Sequence, residues 1–351
     1  MEDKIKKIQE SVEKLKTKDF QILFLVPDTK GKANGSVAQI YYQAQKLKNL
    51  GYKSVILHEK NDYTYPTWLG DGYDLLEHQS IEQKNLKVGP HDFLIIPELF
   101  SDVLSQTKNF PCKRIVLCNS YDFIFDTLAP GISWSDHGIF DFITTTEKQK
   151  EVVNSFFPNV SGKIIQPKVS EYIVKEKGFK KPIVAIFSKV ARDTDKIAKG
   201  FYMKYPYFKW ISFKEMLGMT MEDYNKVLNE CFCSVWLDEE AGFGMYAIES
   251  MKVGTPVVGL VPRMEPEWIT EKNGIWTNNF NKLYDLLAQV VRANLEDEIP
   301  SELIEAGYET AEKYNEETFS EQVKNVYEEY VNSRIKELEY SIEKFKLEEN
   351  A

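Results

Sequence analysis

DEEAGFGMYAIESMKVGTP, Asp238 to Pro256, is the stretch on which the reading of this chain turns. A short apolar run, Phe232 to Leu237, precedes it, and a second, Val257 to Val261, follows it. The order is strand, glycine-bearing loop, helix, strand. Gly242 and Gly244 carry no Cβ, so the backbone there can turn sharply and approach a ligand closely. A helix that starts near Met245 points its unpaired N–H groups and positive dipole end at the loop, which suits a phosphate. Glu249 falls on that helix between Ile248 and Met251, and Gly254-Thr255-Pro256 stops it. A tight turn with a surface glutamate fits the same local pattern, so the rest of the chain has to decide.

At 351 residues the chain is long enough for two ordinary domains. Its 43% hydrophobic and 28% charged content is the balance of a globular protein, and 19 Tyr with 21 Phe can fill its cores. A net charge of −10 argues against a surface coated in basic residues for nucleic acid. Cys112, Cys118, Cys231 and Cys233 form no CxxC pair, and three of them lie in or beside expected strands. They read as buried reduced thiols rather than as disulfides or zinc ligands. No apolar run approaches the ~18 residues of a membrane span, and the N-terminus has no apolar signal core. The expected location is cytoplasmic.

Before the deciding stretch, the chain alternates strand and helix. Ile5, Ile8, Val12 and Leu15 recur at helical spacing in a lysine- and glutamate-rich N-terminal segment. Ile22–Pro27 is an apolar run of buried-strand type, followed by a loop (Asp28–Ser36) with Gly31 and Gly35, then a helical pattern closed by Gly51. Further strands are expected at 54–58, 93–97, 114–119, 142–146 and 163–166. The aromatic stretch between Asn119 and Asp141 follows a strand, and its Asn119, Ser120, Tyr121, Asp122 and His137 are polar groups among large apolar ones, as in small-molecule sites. Pro167 to Lys181 reads as a linker. A second set of strands is expected at 183–188, 208–213 and 273–277, with helices beginning near Thr220 and spanning 282–292. From Glu316 to Phe345 an apolar stripe (Phe319, Val323, Val326, Tyr330, Ile335, Leu338, Ile342, Phe345) predicts one long helix, or two with a break near Asn332. The economical place for that stripe is the first domain.

The expected architecture is therefore α/β, two Rossmann-like parallel-sheet domains facing a cleft. Residues 1–170 form the first domain, 171–315 the second, and 316–351 a helix returning to the first. An open parallel sheet binds ligands at the carboxyl ends of its strands. The second domain has the parts for a diphosphate: Lys189, Arg192 and Lys196 after one strand, the Gly242–Gly244 loop after another. One carboxylate, Glu249, can take both hydroxyls of a nucleotide ribose.

GFGMYAIESMKVGTPVV resembles the signature of retaining glycosyltransferases of the GT-B fold, a Glu–seven residues–Glu motif reading EGFG…E…GTPVV. The resemblance covers residues 20–345 and is most specific over 235–260. It implies sugar transfer from a nucleotide-sugar donor such as a UDP-sugar, with retention and without a required metal or other cofactor. By that likeness Glu249 holds the donor ribose. Gly242, Phe243, Gly244 and Met245 shape the donor pocket, and Lys189, Arg192 and Lys196 neutralise the departing diphosphate. Gly35 and Ser36 approach the ligands from the first domain, where Tyr121, Asp122 and His137 stand on the acceptor side. The pattern departs at one point. Eight positions before Glu249, where the family has its first glutamate, this chain has Ala241; Glu240 is one residue earlier and Glu239 two. If a bulge brings Glu240 into the pocket, it takes that catalytic place. The competing readings are an epimerase or hydrolase of the same fold and a sugar-nucleotide binding module without turnover. The acceptor stays open among saccharide, lipid-linked sugar, protein and a modified base in DNA. For DNA the sequence offers only scattered lysines such as Lys30, Lys32, Lys148, Lys150 and Lys168.

Overall fold

Runs such as Ile22-Leu23-Phe24-Leu25 put apolar side chains on both faces of a strand, which only a sheet covered on both sides can bury. The computed structural model, which describes residues 2–70, 72–82, 86–190 and 192–349, does this twice. The chain divides into one unit of residues 1–166 with 319–351 and a second of 167–318.

The first unit holds strands β1 (Gln21–Leu25), β2 (Lys53–His58), β3 (Glu77–Ser80), β4 (Phe93–Pro97), β5 (Lys113–Cys118), β6 (Asp141–Thr144) and β7 (Ser161–Ile164). All pair in parallel, in the order β3-β2-β1-β4-β5-β6-β7. Its helices are α1 (Glu2–Lys16), α2 (Gly35–Asn49), α3 (Ser101–Gln106), α4 (Phe123–Thr127) and α5 (Glu147–Phe156). Asn34 caps α2, its side chain accepting the Val37 N–H, so Gly35 and Ser36 open the helix instead of ending the loop. The polar strand β3 (EHQS) has no apolar run to announce it; at the sheet's edge it is held by its ladder to β2.

The second unit holds β8 (Lys181–Phe187), β9 (Ser212–Glu215), β10 (Cys231–Trp236), β11 (Val257–Leu260) and β12 (Ile275–Thr277), again parallel, in the order β12-β11-β10-β8-β9. Helices α6 (Asp193–Lys204), α7 (Met221–Glu230), α8 (Met245–Lys252), α9 (Phe280–Leu295) and α10 (Ser301–Ala311) connect and cover them. The strand expected over 208–213 begins later. Pro206–Phe208 is a single 3-10 turn, and Phe208 stacks on Phe201 at 5.8 Å between ring centres, which holds the chain in a turn until Ser212. Val169 and Ile173, within the stretch read as a linker, are buried in this unit's core, and the Val169 N–H bonds to the Tyr314 carbonyl at 2.9 Å.

The terminal stripe forms one helix, α11 (Glu316–Glu349), with no break at Asn332. Phe319, Val323, Val326, Tyr327, Tyr330 and Leu338 lie in the same core as Phe24, Phe93, Ile95 and the α1 residues Val12 and Leu15. Polar groups fix its register: the Tyr327 hydroxyl donates to Gln43, the Tyr330 hydroxyl to the Phe142 carbonyl, and Lys113 pairs with Glu337 at 2.6 Å. The helix is thus a structural part of the first unit. All four cysteines are buried and free. Among the described residues no helix is long and apolar enough to cross a membrane.

Phe319→Ala removes a fully buried ring from this core and is expected to cost about 3–5 kcal/mol. Urea unfolding followed by far-UV circular dichroism reads that loss as a lowered midpoint. An unchanged midpoint would mean that α11 adds nothing to the core.

Candidate functional site

In the second unit the strand order reverses between β8 and β10. An open α/β sheet leaves a crevice at such a point, beyond the carboxyl ends of its strands. Ser188–Val190 and Arg192 border it on one side and the loop Leu237–Gly244 on the other, the two segments the sequence singles out. Asp238 joins them. Its Oδ1 accepts the Lys189 N–H at 3.1 Å, and its Oδ2 lies 3.8 Å from Lys189 Nζ. Burial pushes the Asp238 carboxyl above its usual pKa, and Lys189 opposes that shift. The Lys189 side chain itself remains exposed. Arg192 is also exposed and stands just before α6 with φ +69°, a left-handed conformation rare outside glycine. Lys196, one turn into α6, is exposed and pairs with Asp193 at 3.2 Å; Asp193 also takes the Ser188 hydroxyl.

The second loop ends at Gly244, which precedes α8 with φ +89°. A Cβ at this position would run into the Trp236 ring as well as strain the backbone. Gly244 therefore serves packing directly and lets α8 start close to the end of β10. Phe243 is buried, its ring against Tyr314 and its carbonyl accepting the Trp268 indole N–H at 2.8 Å. Gly242 is buried, while Met245 is partly exposed at the first turn of α8. Glu249 lies one turn further along and is mostly buried. Tyr224 on α7 donates to its Oε2 at 2.5 Å. Burial pushes the Glu249 carboxyl up to about 7, against the lowering effect of the Tyr224 bond and of Lys252. Tyr224 is a partner that local sequence pattern does not reveal, since it reaches Glu249 from another helix.

Ala241 is buried in the apolar cluster of Trp236, Phe243, Tyr246 and Trp268. Glu239 and Glu240 are exposed, and Arg263 lies 3.9 Å from the first and 3.8 Å from the second. The turn Asp238–Ala241 thus sends its methyl group inward and its two acids outward.

In the first unit the order reverses between β1 and β4. Gly35 and Ser36 open α2 after β1, and Tyr121 and Asp122 follow the end of β5. His137 is elsewhere. Its carbonyl accepts from Arg114, the second residue of β5, and its ring lies 3.4 Å from the Ser105 hydroxyl, so it sits at the amino end of the strand that Tyr121 and Asp122 leave. These three residues do not form one site. Lys30, Lys150 and Lys168 are paired with Asp28, Glu147 and Glu316.

One further residue, outside the motifs of the sequence, stands beside this reversal. Glu98, just beyond β4, is buried, and its Oε1 accepts the Ser120 N–H at 2.8 Å. Its carbonyl takes the Thr127 hydroxyl at 3.1 Å. Glu98 thereby holds both ends of the segment that carries Tyr121, Asp122 and α4. Burial pushes its carboxyl up to about 7, although backbone N–H groups pull the other way. An acid immediately after a central apolar strand (FLIIPE) was the available sign.

No family model matches the chain. It is 23% identical over 260 residues to an alpha-1,6-glucosyltransferase from Actinobacillus pleuropneumoniae serotype 7 (strain AP76), covering 70% of this chain and 78% of that protein. Among solved structures it resembles HepE from Anabaena in complex with UDP and glucose, with a TM-score of 0.65 and 13% identity over 88% of this chain and 99% of that one. The sucrose-phosphate synthase of Thermosynechococcus elongatus gives 0.62 and 13% over 89% and 99%. An alpha-glucosyltransferase in complex with UDP gives 0.56 and 11% over 89% and 99%. At these identities the structural likeness establishes the fold alone, the GT-B fold with its two parallel-sheet α/β units and a C-terminal helix packed against the N-terminal helix.

Glu98 yields a prediction with a definite sign. A carboxyl raised from its ordinary 4.5 to about 7 favours the folded state fully below pH 4.5. That contribution is lost as pH rises toward 7. Glu98→Gln keeps an acceptor for Ser120 but cannot ionise. Its stability relative to the parent chain should rise between pH 5 and pH 8 by on the order of 2 kcal/mol, read from urea midpoints at both pH values. A difference independent of pH would show that Glu98 does not titrate in this range.

Proposed function

We propose that this protein is a glycosyltransferase that takes a sugar from a UDP-sugar, with the second unit as its donor-binding half. One observation carries the reading: the two loops at the β8–β10 reversal are tied to each other through Asp238, and one of them leads into α8 with Glu249 a turn away. The N-terminus of α8 with Gly242, Phe243, Gly244 and Met245 would cradle the diphosphate and sugar. Lys189 and Arg192 would neutralise the charge that develops as the diphosphate leaves, the main electrostatic task of such a transfer. Lys196 would join them on release from Asp193. Glu249, oriented by Tyr224, would accept the ribose hydroxyls. HepE binds UDP and glucose, and the curated relative is a glucosyltransferase, so UDP-glucose is the first donor to try. Retention without a metal is part of the same proposal. The first unit would present the acceptor, through the segments after β1, β4 and β5.

A thermal-shift screen of UDP-, GDP- and ADP-sugars should raise the melting temperature with the UDP compounds; no shift with any of them removes the donor-site assignment. Glu249→Ala should weaken UDP binding about tenfold or more by calorimetry, with the fold intact by circular dichroism. The parent's advantage over Glu249→Gln should shrink as pH falls through about 7, because a protonated carboxyl loses acceptor capacity. Lys189→Ala should lower donor turnover by about 10²-fold while leaving UDP binding less affected.

The position of Ala241 supports a second reading, a nucleotide-sugar binding module without turnover. Its methyl group is buried and Glu240 is turned toward Arg263, so neither supplies a carboxylate in the place of the family's first glutamate. Ligand binding together with no sugar conversion over a broad acceptor panel would select this reading.

A further inference from the structure

Away from the donor loops, residues 197–214 (IAKGFYMKYPYFKWISFK) carry four lysines and no acid in a chain of net charge −10. This segment runs down α6, through the 3-10 turn, and into β9. The turn between α6 and β9 lies at the amino-terminal side of the sheet, opposite the loops after β8 and β10. Its apolar side chains are not all buried. Met203 is 83% exposed, Tyr207 55% and Trp210 50%. Phe208, stacked on Phe201, forms the base below the two rings, centred 4.7 Å from Tyr207 and 6.3 Å from Trp210. Arg292 reaches over from α9, lying 5.7 Å above the Tyr207 ring and donating to its hydroxyl. Asp285 neutralises Lys204 and takes the Tyr205 hydroxyl, and Glu296 follows at the end of α9. Among the described residues, Lys199, Lys209 and Arg292 are in no ion pair, and all three are exposed.

We propose that this face of the second unit, Met203, Tyr207 and Trp210 framed by Lys199, Lys209 and Arg292, docks the protein on an anionic phospholipid surface. The chemistry of this face favours that occupant. Tyr and Trp settle at the level of lipid headgroups, with an apolar ring and a polar edge. Lys and Arg beside them are attracted to anionic lipid, and apolar tips with cationic neighbours are the combination that holds a protein in the interface. A solvent-exposed methionine gains by entering the acyl boundary and has nothing comparable to gain from a nucleic-acid backbone. A second copy meeting this face symmetrically would bring like charges together. Docking here leaves the loops after β8 and β10 on the opposite end of the sheet, open to a water-borne ligand.

The test is co-sedimentation of the full chain at low salt with vesicles of phosphatidylcholine alone and of phosphatidylcholine with an equal share of phosphatidylglycerol. The chain should sediment with the mixed vesicles and stay in solution with phosphatidylcholine. Replacing Lys199, Lys209 and Arg292 singly by Ala should weaken partition roughly fivefold each. Raising the salt should weaken it further. Trp210→Ala should weaken it too, with melting temperature and circular dichroism confirming that each variant is folded. Quenching of tryptophan emission by brominated lipid should fall in folded Trp210→Phe relative to the parent. Absence of partition to the mixed vesicles overturns the proposal, as does partition that the charge variants leave unchanged. A concentration-dependent dimer that Trp210→Ala dissolves, without vesicle binding, would overturn it in favour of a second copy on this face.

Discussion

A glycine with no room for a side chain sets the geometry of the second unit. Trp236 ends β10 with its ring where a Cβ on residue 244 would be, and residue 244 is held at φ +89°. Both constraints admit only glycine without cost. Because the backbone can pass that close, the loop Leu237–Gly244 folds back on Trp236 and α8 begins close to the end of the strand. Glu249 then falls within reach of Tyr224, and Phe243 is driven inward against Trp268 and Tyr314. The same glycine that reads as a ligand contact is first of all a packing requirement, and the ligand geometry follows from it.

Burial is used in a parallel way on two carboxyls. Glu249 and Glu98 are each pushed up to about 7, one fixed by a tyrosine from a neighbouring helix and the other by the backbone of the next loop. Each stands near a reversal of strand order; Glu98 takes a backbone N–H that has no ladder partner there, whereas Glu249 ties α8 to α7 through the Tyr224 hydroxyl. Asp238, also raised by burial, does the same work between the loops after β8 and β10. The loops are held by acids placed in low-dielectric surroundings rather than by loop sequence alone.

Much of the architecture was legible. Apolar runs such as ILFLV and IVAIF can be satisfied only inside a two-sided parallel sheet, and the three- and four-residue spacing from Phe319 to Ile342 required a helix with a core to rest on. The edge strand β3 was not legible, because its polar residues follow the ladder of β2 and no hydrophobic pattern of their own. The start of β9 differs from its sequence pattern for a related reason: FKWISF has strand composition, but Phe208 is claimed by stacking on Phe201. His137 shared a loop with Tyr121 and Asp122, yet that loop runs the length of the sheet, and its far end belongs to Arg114.

By itself the sequence determined two α/β units with a glycine loop and helix after a buried strand, because local periodicity and glycine placement are properties of neighbouring residues. Only the tertiary structure decided which loops meet. Strand order puts the loops after β8 and β10 side by side, and Asp238 joins them across 49 positions in the chain. It also decided that Ala241 belongs to the core while Glu240 turns out to Arg263, that Tyr224 serves Glu249, and that Glu98 anchors the loop after β5. Each of these depends on segments distant in sequence being pressed together by the burial of their common apolar faces, and no window of adjacent residues contains that information.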